Sequence, residues 1–327
     1  MRIAVDAMGG DNAPEEIVAG ALLARNELGY DITLVGDEQR MRELLPSDTD
    51  IEIRHATEII HMDEAPAVAV RRKKDASIVV ATKLVKDGYA EAIVSAGSTG
   101  AQMTAALFDL GRIKGIKRPA ISTLFPTAKG PKVLLDSGAN ADSKPENLVQ
   151  FAHMGCIYAE KVLGMENPTV GLLNIGSEEG KGNELTVETY QLLKNESLNF
   201  IGNVEPRDIT IGNVDVMVCD GFVGNIVLKL AEGLGTFLMN AIKDQLTSTY
   251  RYKIGAAMVA PGIRNIKKLM DYSEYGGAPL LGVDGVSIIS HGSSDAKAIK
   301  NAIKAAGVCV NNGFVASTKS RLRGEDK

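Results

Sequence analysis

The sequence predicts an α/β fold with a largely parallel, mixed sheet and helices on both of its faces. Short apolar runs of strand length alternate with longer segments whose apolar residues recur every three or four positions. Turns rich in glycine, serine, threonine and asparagine follow most of these runs and lead into the helical segments. Parallel strands need such crossovers, so the repeated strand–helix units predict one sheet covered on both sides.

The apolar runs place strands at intervals along the whole chain, and helical spacing fills the intervals between them. The predicted strands are residues 2–5, 32–35, 51–54, 92–95, 132–135, 170–173, 214–218 and 286–289. The predicted helical segments are residues 12–28, 65–86, 101–108, 147–161, 225–246, 263–270 and 295–311.

Polar residues before three of these helices predict how the helices begin. Asn12 is predicted to cap the first helix, with Glu15 at the capping-box position, and residues 143–146 repeat that pattern before helix 147–161. Ser98 and Thr99 can cap the helix that follows strand 92–95. The first N–H groups of a helix lack internal partners, so this helix start is suited to binding an anion.

Composition limits the function classes to which the chain can belong. With 36 Lys and Arg against 41 Asp and Glu, the net charge of −5 argues against nucleic acid as a partner. Cys156, Cys219 and Cys309 show no zinc or disulfide spacing and are interpreted as buried small hydrophobes. We find no signal peptide and no apolar run near the length of a membrane span, so we expect a cytoplasmic protein, with residues 1–327 as a single catalytic domain.

Residues 225–271 depart from the strand–helix rhythm and predict a protruding helical hairpin. One long helix is expected at residues 225–246, then an apolar, tyrosine-bearing stretch at 247–261, then a second helix. Between Lys243 and Met270 six residues are basic and one is acidic, in a chain of negative net charge. Two interpretations stay open: the hairpin packs on a second subunit, or it binds an anionic membrane or an acidic protein.

The turns after the strands are expected to carry the chemistry, because ligands of open α/β sheets bind outside the carboxyl ends of strands. Six turns are predicted to lie at one edge of the sheet: residues 6–11, 95–100, 136–140, 174–183, 220–225 and 291–294. Their aspartates would repel a phosphate, so we expect them to cap helices, orient amides, accept a proton or hold a metal. These aspartates are Asp6, Asp11, Asp136 and Asp220.

Common catalytic motifs are largely missing. The first strand is not followed by GxGxxG, and there is no Walker A sequence, which disfavours Rossmann and P-loop nucleotide binding. Ser98, Asp220 and His291 follow the Ser…Asp…His order of α/β-hydrolases, so a serine hydrolase stays open as an alternative. Positive charge for a phosphate could come from three residues, Lys181, Lys229 and Arg71.

Eight segments are spread in order over nearly the whole chain: VDAMGGDNAP at 5–14, SAGSTGA at 95–101, GRIKGIKRP at 111–119, LLDSGAN at 134–140, GLLNIG at 171–176, KGNE at 181–184, DGFVGN at 220–225 and HGSSD at 291–295. Together they resemble the bacterial phosphate acyltransferase family PlsX. The chain has Asn12, Ser98 and Ser137 where this family usually has His, Asn and Val. The resemblance therefore makes Ser98 a hydrogen-bonding group rather than a nucleophile.

This resemblance implies an acyl-[acyl-carrier-protein]:phosphate acyltransferase of phospholipid synthesis. Such an enzyme forms acyl-phosphate from a long-chain acyl thioester and inorganic phosphate, for use by a membrane glycerol-3-phosphate acyltransferase. The implied fold is the three-layer α/β/α sandwich shared by isopropylmalate dehydrogenases and phosphate acetyltransferases. A homodimer with peripheral contact to an anionic membrane is also implied, and we expect neither a cofactor nor a bound metal.

Direct attack by phosphate needs no enzyme nucleophile, only donors that hold phosphate and stabilise the tetrahedral oxyanion. Our hypothesis is that residues 98–100 bind phosphate while Lys181 supplies charge. Asn183 or Asn225 would stabilise the oxyanion, and His291 or an aspartate would transfer protons. The candidate catalytic residues are Lys181, Asn183, Asn225, His291 and Asp220. The candidate substrate-binding residues are Asp6, Gly9, Gly10, Ser95, Gly97, Ser98, Thr99, Gly100, Asp136, Asn140, Gly176, Ser177, Gly221 and Ser293.

Two further functions stay open besides the hydrolase. A metal- and nucleotide-dependent decarboxylating dehydrogenase shares the implied fold, but it would need an arginine-rich pocket for a dicarboxylate, which the sequence does not show. A cofactor absorbance and a metal requirement would identify it. A non-enzymatic scaffold for a carrier protein or a membrane is the other alternative, and turnover of acyl thioester with phosphate would exclude it.

Overall fold

The computed structural model describes residues 1–270 and 276–322, and its eleven described strands form one mixed sheet. The strands are β1 (Arg2–Asp6), β2 (Asp31–Gly36), β3 (Glu52–His55), β4 (Ala92–Ser95), β5 (Ala120–Phe125), β6 (Lys132–Leu135), β7 (Thr169–Leu173), β8 (Asn199–Val204), β9 (Val216–Val218), β10 (Ala278–Leu281) and β11 (Val286–Ile289). The eight predicted strands are present, each within two residues of its expected bounds. The sequence analysis missed β5, β8 and β10.

Helices connect most of the strands. They are α1 (Glu15–Leu28), α2 (Glu38–Leu44), α3 (Pro66–Arg72), α4 (Ser77–Lys86), α5 (Thr99–Asp109), α6 (Pro145–Lys161), α7 (Glu184–Leu193), α8 (Pro206–Ile209), α9 (Gly221–Thr247), α10 (Tyr250–Met270), α11 (Ala296–Asn311) and α12 (Phe314–Leu322). The strand–helix alternation that the sequence predicts is therefore confirmed.

The sheet changes direction in its middle. The strand order is β3-β2-β1-β4-β11-β10-β5-β6-β9-β7-β8. The first half, β3 to β11, is parallel, and so is the second half, β6 to β8. Between the halves, β10 runs antiparallel to both β11 and β5, and β5 runs antiparallel to β6. The two halves therefore point in opposite directions.

This reversal overturns the prediction that all six polar turns share one edge. The turns after β1, β4 and β11 lie at the carboxyl edge of the first half, whereas those after β6, β7 and β9 lie at the opposite edge. The physical reason is the pair β5 and β10, whose antiparallel hydrogen bonding reverses the chain without a helical crossover.

Helices cover both faces of the sheet. Because successive side chains of a strand point to opposite faces, Val133 and Leu135 of β6 join one core and Leu134 joins another. The first core also contains residues of α1, α6 and α11. On the opposite face, α3, α4 and α5 pack on the first half, and α9 packs on the second half through Val227. The predicted three-layer α/β/α sandwich is confirmed.

The three cysteines behave as the sequence predicts. Cys156, Cys219 and Cys309 are free and buried. Burial raises the pKa of the Cys156 thiol and that of the Cys309 thiol to about 12. A thiol with such a pKa stays protonated at neutral pH, so these side chains serve packing rather than nucleophilic chemistry.

The first helix does not begin as predicted. Pro14 occupies the capping position of α1, and no side chain caps the helix there. The Asn12 amide instead donates hydrogen bonds to the carbonyl oxygens of Ser293, at 3.2 Å, and Ser294, at 3.4 Å. Asn12 therefore joins two turns of the first half rather than capping a helix.

The start of α6 is also shifted from its prediction. The backbone N–H of Lys144 donates to Oδ1 of Asn147 at 2.9 Å, so the capping box spans residues 144–147 instead of 143–146. The buried Ser143 hydroxyl has no hydrogen-bond partner among the described residues. Pro145 takes the first helical position, which places Asn147 rather than Glu146 opposite the cap.

The predicted hairpin is present as α9 and α10, which pack against each other. The second helix begins at Tyr250, so it includes most of the apolar, tyrosine-bearing stretch that was expected to precede it, and Pro261 lies inside the helix. An 18-residue window of α9 has a mean hydropathy of 1.4 with 11% of it buried, so α9 is long and apolar enough to span a membrane. The expectation that no apolar run approaches that length is therefore wrong.

Candidate active site

The first turn cluster lies at the carboxyl ends of β1, β4 and β11, and a buried aspartate holds it together. Oδ2 of Asp6 accepts a hydrogen bond from the Ser95 hydroxyl at 2.7 Å, and Oγ of Ser95 accepts one from the N–H of Gly97 at 3.0 Å. Burial raises the pKa of the Asp6 carboxyl, and hydrogen bonds from its neighbours oppose that rise. Asp6 and Ser95 thus shape the turn from within.

Glycines allow the turns of this cluster to approach each other closely. A Cβ on Gly9 would lie 2.5 Å from Oδ2 of Asp6 and 2.8 Å from Cα of Gly97, so no larger residue fits there. Gly10 has a φ of +111°, which L side chains rarely adopt. The next N–H, that of Asp11, donates to the carbonyl of Gly292 at 2.8 Å. The turns after β1, β4 and β11 therefore form one connected surface.

The start of α5 is the anion-binding feature of this cluster. Ser98 caps the helix through a hydrogen bond from the N–H of Ala101 to its hydroxyl at 3.4 Å, which confirms the predicted cap. The N–H groups of Thr99 and Gly100 have no acceptor among the described residues. Thr99 is exposed, and a Cβ on Gly100 would collide with Pro66 of α3 at 2.6 Å. Two unpaired donors thus lie beside the Thr99 hydroxyl.

His291 and Ser293 complete the first cluster in the turn after β11. Nδ1 of His291 lies 2.8 Å from the Ser293 hydroxyl and accepts a hydrogen bond from the N–H of Ser293 at 3.2 Å. A ring nitrogen that accepts from a backbone N–H carries no proton itself, so Nε2 bears the hydrogen of the neutral ring. The ring is therefore held in one orientation at the exposed side of the turn.

The second turn cluster lies at the carboxyl ends of β6 and β9, and Asp136 organises it. Oδ1 of Asp136 accepts from the N–H groups of Ile121, Gly138 and Ala139 at 3.0–3.1 Å. Oδ2 accepts from the N–H and the amide of Asn140 at 2.8 and 2.9 Å. Burial raises the pKa of this carboxyl, and these five donors oppose the rise. Its oxygens are occupied, so Asp136 builds the turn instead of transferring protons.

The first turn of α9 packs directly on Asp136 and its neighbours. The N–H of Gly221 donates to the carbonyl of Asn140 at 2.8 Å, and a Cβ on Gly221 would lie 2.8 Å from Oδ2 of Asp136. Asp220 caps α9 by accepting from the N–H of Val223 at 2.9 Å. The half-buried Asn225 amide faces Gly138 and makes no hydrogen bond with any described residue. Asn225 is thus the polar group that this cluster leaves available.

The turn after β7 lies at the same edge as the second cluster. Asn183 caps α7 by accepting from the N–H of Thr186 at 3.0 Å, and Asn174 braces the turn by donating to the carbonyl of Lys181 at 2.9 Å. Lys181 and Ser177 are exposed. Gly176 is buried, and a Cβ there would lie 3.2 Å from the Lys181 side chain. The turn therefore presents one cation at this edge.

Two predicted combinations draw on both halves of the sheet. Lys181 follows β7 in the second half, whereas residues 98–100 follow β4 in the first half, so a ligand would have to lie between the two clusters to contact both. Asp220 likewise lies at the edge opposite His291, and no hydrogen bond joins Ser98, Asp220 and His291 within residues 1–270 and 276–322. The serine hydrolase interpretation therefore lacks its triad.

Two other cations singled out in the sequence also lie away from the first cluster. Arg71 stacks on Phe108 near the far end of α5, with Cζ 5.2 Å from the ring centroid. Lys229 is exposed on α9 in the second half. Neither residue is placed to contact an anion at the start of α5.

The structure adds residues that the sequence analysis did not assign to the site. The Asn140 amide donates to the carbonyl of Pro119 at 2.7 Å, which ties the segment before β5 to the second cluster. Ser77, at the start of α4, is one of the polar neighbours that oppose the rise in the pKa of the Asp6 carboxyl. The motif GRIKGIKRP ends at Pro119 and was the sequence signal for its contact with Asn140. Only the antiparallel pairing of β5 with β6, however, brings this motif to Asp136.

The described residues offer little for a metal ion. Across residues 1–270 and 276–322, no group of three or more His, Cys, Asp or Glu is placed to hold a metal ion. The donors that converge are backbone N–H groups, hydroxyls and amides, which suit a small oxyanion and a carbonyl oxygen. The arrangement can therefore bind an anion and stabilise an oxyanion, which are the two requirements of acyl transfer to phosphate.

Comparison with known proteins agrees with this chemistry. The sequence profile of the family described as "Fatty acid synthesis protein" matches residues 1–317. A phosphate acyltransferase from Desulfitobacterium hafniense (strain Y51) is 61% identical over 326 residues, which cover 98% of this chain and 97% of the relative. One from Moorella thermoacetica is 60% identical over 318 residues, covering 96% and 94%.

Solved structures share the fold at low sequence identity. A phosphotransacetylase from Streptococcus pyogenes superimposes with a TM-score of 0.64 and 19% identity, covering 95% of this chain and 94% of that one. A 4-hydroxythreonine-4-phosphate dehydrogenase from Klebsiella pneumoniae has a TM-score of 0.53 and 13% identity, covering 94% and 97%. The predicted likeness to phosphate acetyltransferases is confirmed for the fold. By the family profile and these close relatives, the chain belongs to the phosphate acyltransferases, a family of acyltransferase enzymes of fatty acid synthesis.

Proposed function

We propose that the enzyme transfers a long-chain acyl group from an acyl-carrier protein to inorganic phosphate, which yields acyl-phosphate for phospholipid synthesis. The observation that carries the proposal is the start of α5, where the N–H groups of Thr99 and Gly100 and the Thr99 hydroxyl are available to an anion. The relatives named phosphate acyltransferase support phosphate as the acceptor.

Phosphate itself serves as the nucleophile in this proposal. One phosphate oxygen attacks the thioester carbonyl carbon, the C–S bond then breaks, and acyl-phosphate and a thiolate form. The proton that the attacking phosphate loses is the one that the leaving thiolate gains, so no net proton is consumed. His291 lies in the same cluster as the phosphate site, and we assign this transfer to its ring.

The second cluster is assigned to the acyl thioester. The Asn225 amide has no hydrogen-bond partner among the described residues, and Lys181 presents a cation at the same edge, so we assign the stabilisation of the oxyanion to these two residues. α5 and α9 pack on the same face of the sheet. Ala139 of the second cluster and Met103 of α5 pack against one buried group around Ile121 and Leu280. These contacts support a single cleft bordered by both clusters.

The exposed apolar surface of the hairpin suggests two further properties of the enzyme. α9 exposes a stripe of large apolar residues at helical spacing: Phe222, Ile226, Leu230, Leu234, Phe237, Leu238 and Ile242. A stripe of this length in water favours pairing with a second copy of the chain. We assign α9 to a homodimer interface and the apolar, basic part of α10 to an anionic membrane surface at the cytoplasmic side, where a membrane glycerol-3-phosphate acyltransferase would take up the product.

The decisive experiment measures cleavage of acyl-carrier thioester as a function of phosphate. We expect cleavage to depend on phosphate and an acyl-phosphate to be trapped by hydroxylamine as the hydroxamate. Cleavage that is independent of phosphate would identify a thioesterase instead. A requirement for a nicotinamide cofactor and a metal would identify the dehydrogenase alternative.

Replacing Thr99 with valine is expected to weaken phosphate binding. The exchange keeps the shape of the side chain but removes a hydroxyl bonded to a charged ligand, which costs about 1.5–3 kcal/mol. The KM for phosphate should rise by roughly 10- to 150-fold, while the KM for the acyl donor changes little.

The matched control for this variant is Thr104→Val, the same exchange on the same helix but away from its start. Lys181→Ala should lower kcat more than it raises the phosphate KM, since we assign Lys181 to the oxyanion rather than to bound phosphate. A normal phosphate KM in Thr99→Val would place the phosphate elsewhere.

Replacing Ser98 with asparagine is expected to leave substantial turnover, within about tenfold of the native rate. Asparagine caps a helix as well as serine does, so the start of α5 should persist. Loss of a true triad serine would instead cost roughly a million-fold. Steady-state rates measure the turnover of the variant, and mass spectrometry of the native enzyme mixed with acyl donor shows whether Ser98 is acylated. An acyl group found on Ser98 would contradict direct attack by phosphate.

A further inference from the structure

Residues 112–118, between α5 and β5, form a compact cationic segment, which we call the basic segment. It carries Arg112, Lys114, Lys117 and Arg118, all exposed, and it has no acidic residue. None of the four cations forms an ion pair with a described residue. Two carboxylates beside the segment are paired with other lysines: Asp284, whose N–H donates to the carbonyl of Gly111, pairs with Lys319, and Asp109 pairs with Lys86. The positive charge of this segment is therefore not neutralised by an ion pair within residues 1–270 and 276–322.

The protein holds the basic segment in a fixed shape. Ile113 and Ile116 are 1% and 4% exposed and anchor it in the core. The N–H of Lys117 donates to Gln150, whose amide donates to the carbonyl of Gly115, both at 2.8 Å. A segment fixed in this way loses little conformational entropy when a partner binds. Its four side chains are thus presented together on the surface.

The basic segment also leads directly into the second turn cluster. Pro119, the next residue, accepts a hydrogen bond from the Asn140 amide at 2.7 Å, and the N–H of Ile121 donates to Asp136 at 3.0 Å. Asp136 and Asn140 in turn support the start of α9 with Asn225. A macromolecule bound on the basic segment would therefore lie beside the cluster to which we assign the thioester.

We propose that the basic segment is the docking surface for the acidic carrier protein that delivers the acyl thioester. This inference rests on the proposed function and adds the place where its macromolecular substrate binds. A highly acidic protein is attracted by four unpaired cations, and complementary charge raises the rate at which the partners associate. The segment exposes no large apolar side chain, because both of its isoleucines are buried, which disfavours a lipid bilayer as the partner.

The test compares two thioester substrates of the same acyl chain, one on the carrier protein and one on free pantetheine. The variant is Lys114→Glu with Lys117→Glu, and the control is Lys161→Glu with Lys304→Glu, two exposed lysines remote from the segment. At low salt, kcat/KM for the acyl-carrier protein should fall by at least about tenfold in the variant only. The kcat/KM for acyl-pantetheine should stay within about twofold of the native value. Added salt screens the charges, so it should reduce the difference in kcat/KM between the variant and the native enzyme with the carrier substrate.

The outcomes separate this inference from the proposed function. An unchanged kcat/KM for the carrier substrate, or an equal fall in the control variant, would overturn the docking surface. Loss of binding to phosphatidylglycerol vesicles with normal carrier kinetics would overturn it too, because the segment would then contact membrane. Failure of the native enzyme to form acyl-phosphate from either thioester would overturn the proposed function instead.

Discussion

Replacing Gly224 with alanine is expected to destabilise the enzyme by about 3 kcal/mol, the upper end of what overpacking a rigid contact typically costs. A Cβ at this position would lie 1.9 Å from the carbonyl oxygen of Asp136. That carbonyl cannot move away easily, since the Asp136 side chain accepts five hydrogen bonds and its N–H donates to Cys219 at 3.1 Å. Either α9 or the Asp136 turn must shift.

The matched control is Gly233→Ala on the same helix. A Cβ there meets nothing within 4 Å, so the exchange should be neutral or stabilise the helix by about 0.5–1 kcal/mol. Thermal unfolding measures both variants, and the apparent melting temperature of Gly224→Ala should fall by roughly 5–10 °C. Activity should fall with it, because Asn225 is the next residue. A native melting temperature in Gly224→Ala would mean that α9 does not start against Asp136.

Much of the fold could be predicted because the relevant signals are local. Strands such as 92–95 and 286–289 are short apolar runs, and the following glycine-rich turns end them at the residues that the structure shows. The caps Ser98 and Asp220 depend only on neighbouring N–H groups, and both occupy the capping position of a helix. Asn183 also caps a helix, α7, which the sequence analysis did not predict. A few consecutive residues are enough to determine features of this kind.

The shared edge of the six turns could not be predicted because it depends on long-range pairing. Whether β6 points along β11 or against it is decided by β5 and β10, which are separated by more than 150 residues in the chain. No local pattern distinguishes a strand that pairs antiparallel from one that pairs parallel. The same cause explains why the sequence did not show that Lys181 and residues 98–100 belong to different halves of the sheet.

The hairpin shows where a local rule was applied too strongly. Pro261 removes one helical hydrogen bond, and the sequence analysis expects the second helix to begin after it. α10 nevertheless begins at Tyr250 and continues through Pro261. The helix is exposed on most sides, so the proline ring has room. The side chains of Lys267 and Lys268, which contribute to the predicted basic character, lie outside the described residues.

Replacing Met258 and Val259 with glutamate is expected to abolish binding to anionic vesicles while soluble turnover stays near normal. These side chains are 81% and 50% exposed on α10, beside the exposed cations Arg251, Lys253 and Arg264. Burying two such apolar side chains in lipid contributes about 3–6 kcal/mol, and each cation near an anionic leaflet contributes ~1 kcal/mol. Removing the apolar part alone should therefore weaken binding by at least about 100-fold.

The control for the vesicle experiment is Ile201→Glu with Ile211→Glu, which changes two residues of 49% and 45% exposure outside α9 and α10. In a co-sedimentation assay with phosphatidylglycerol vesicles, we expect the control variant to pellet with the vesicles and the hairpin variant to stay in solution. Charge alone does not choose between a membrane and an acidic carrier, but the exposed apolar residues do, since a carrier protein is attracted mainly by charge. Vesicle binding that survives in the hairpin variant, or an equal loss of turnover without vesicles, would place α10 in the dimer interface or at the carrier protein.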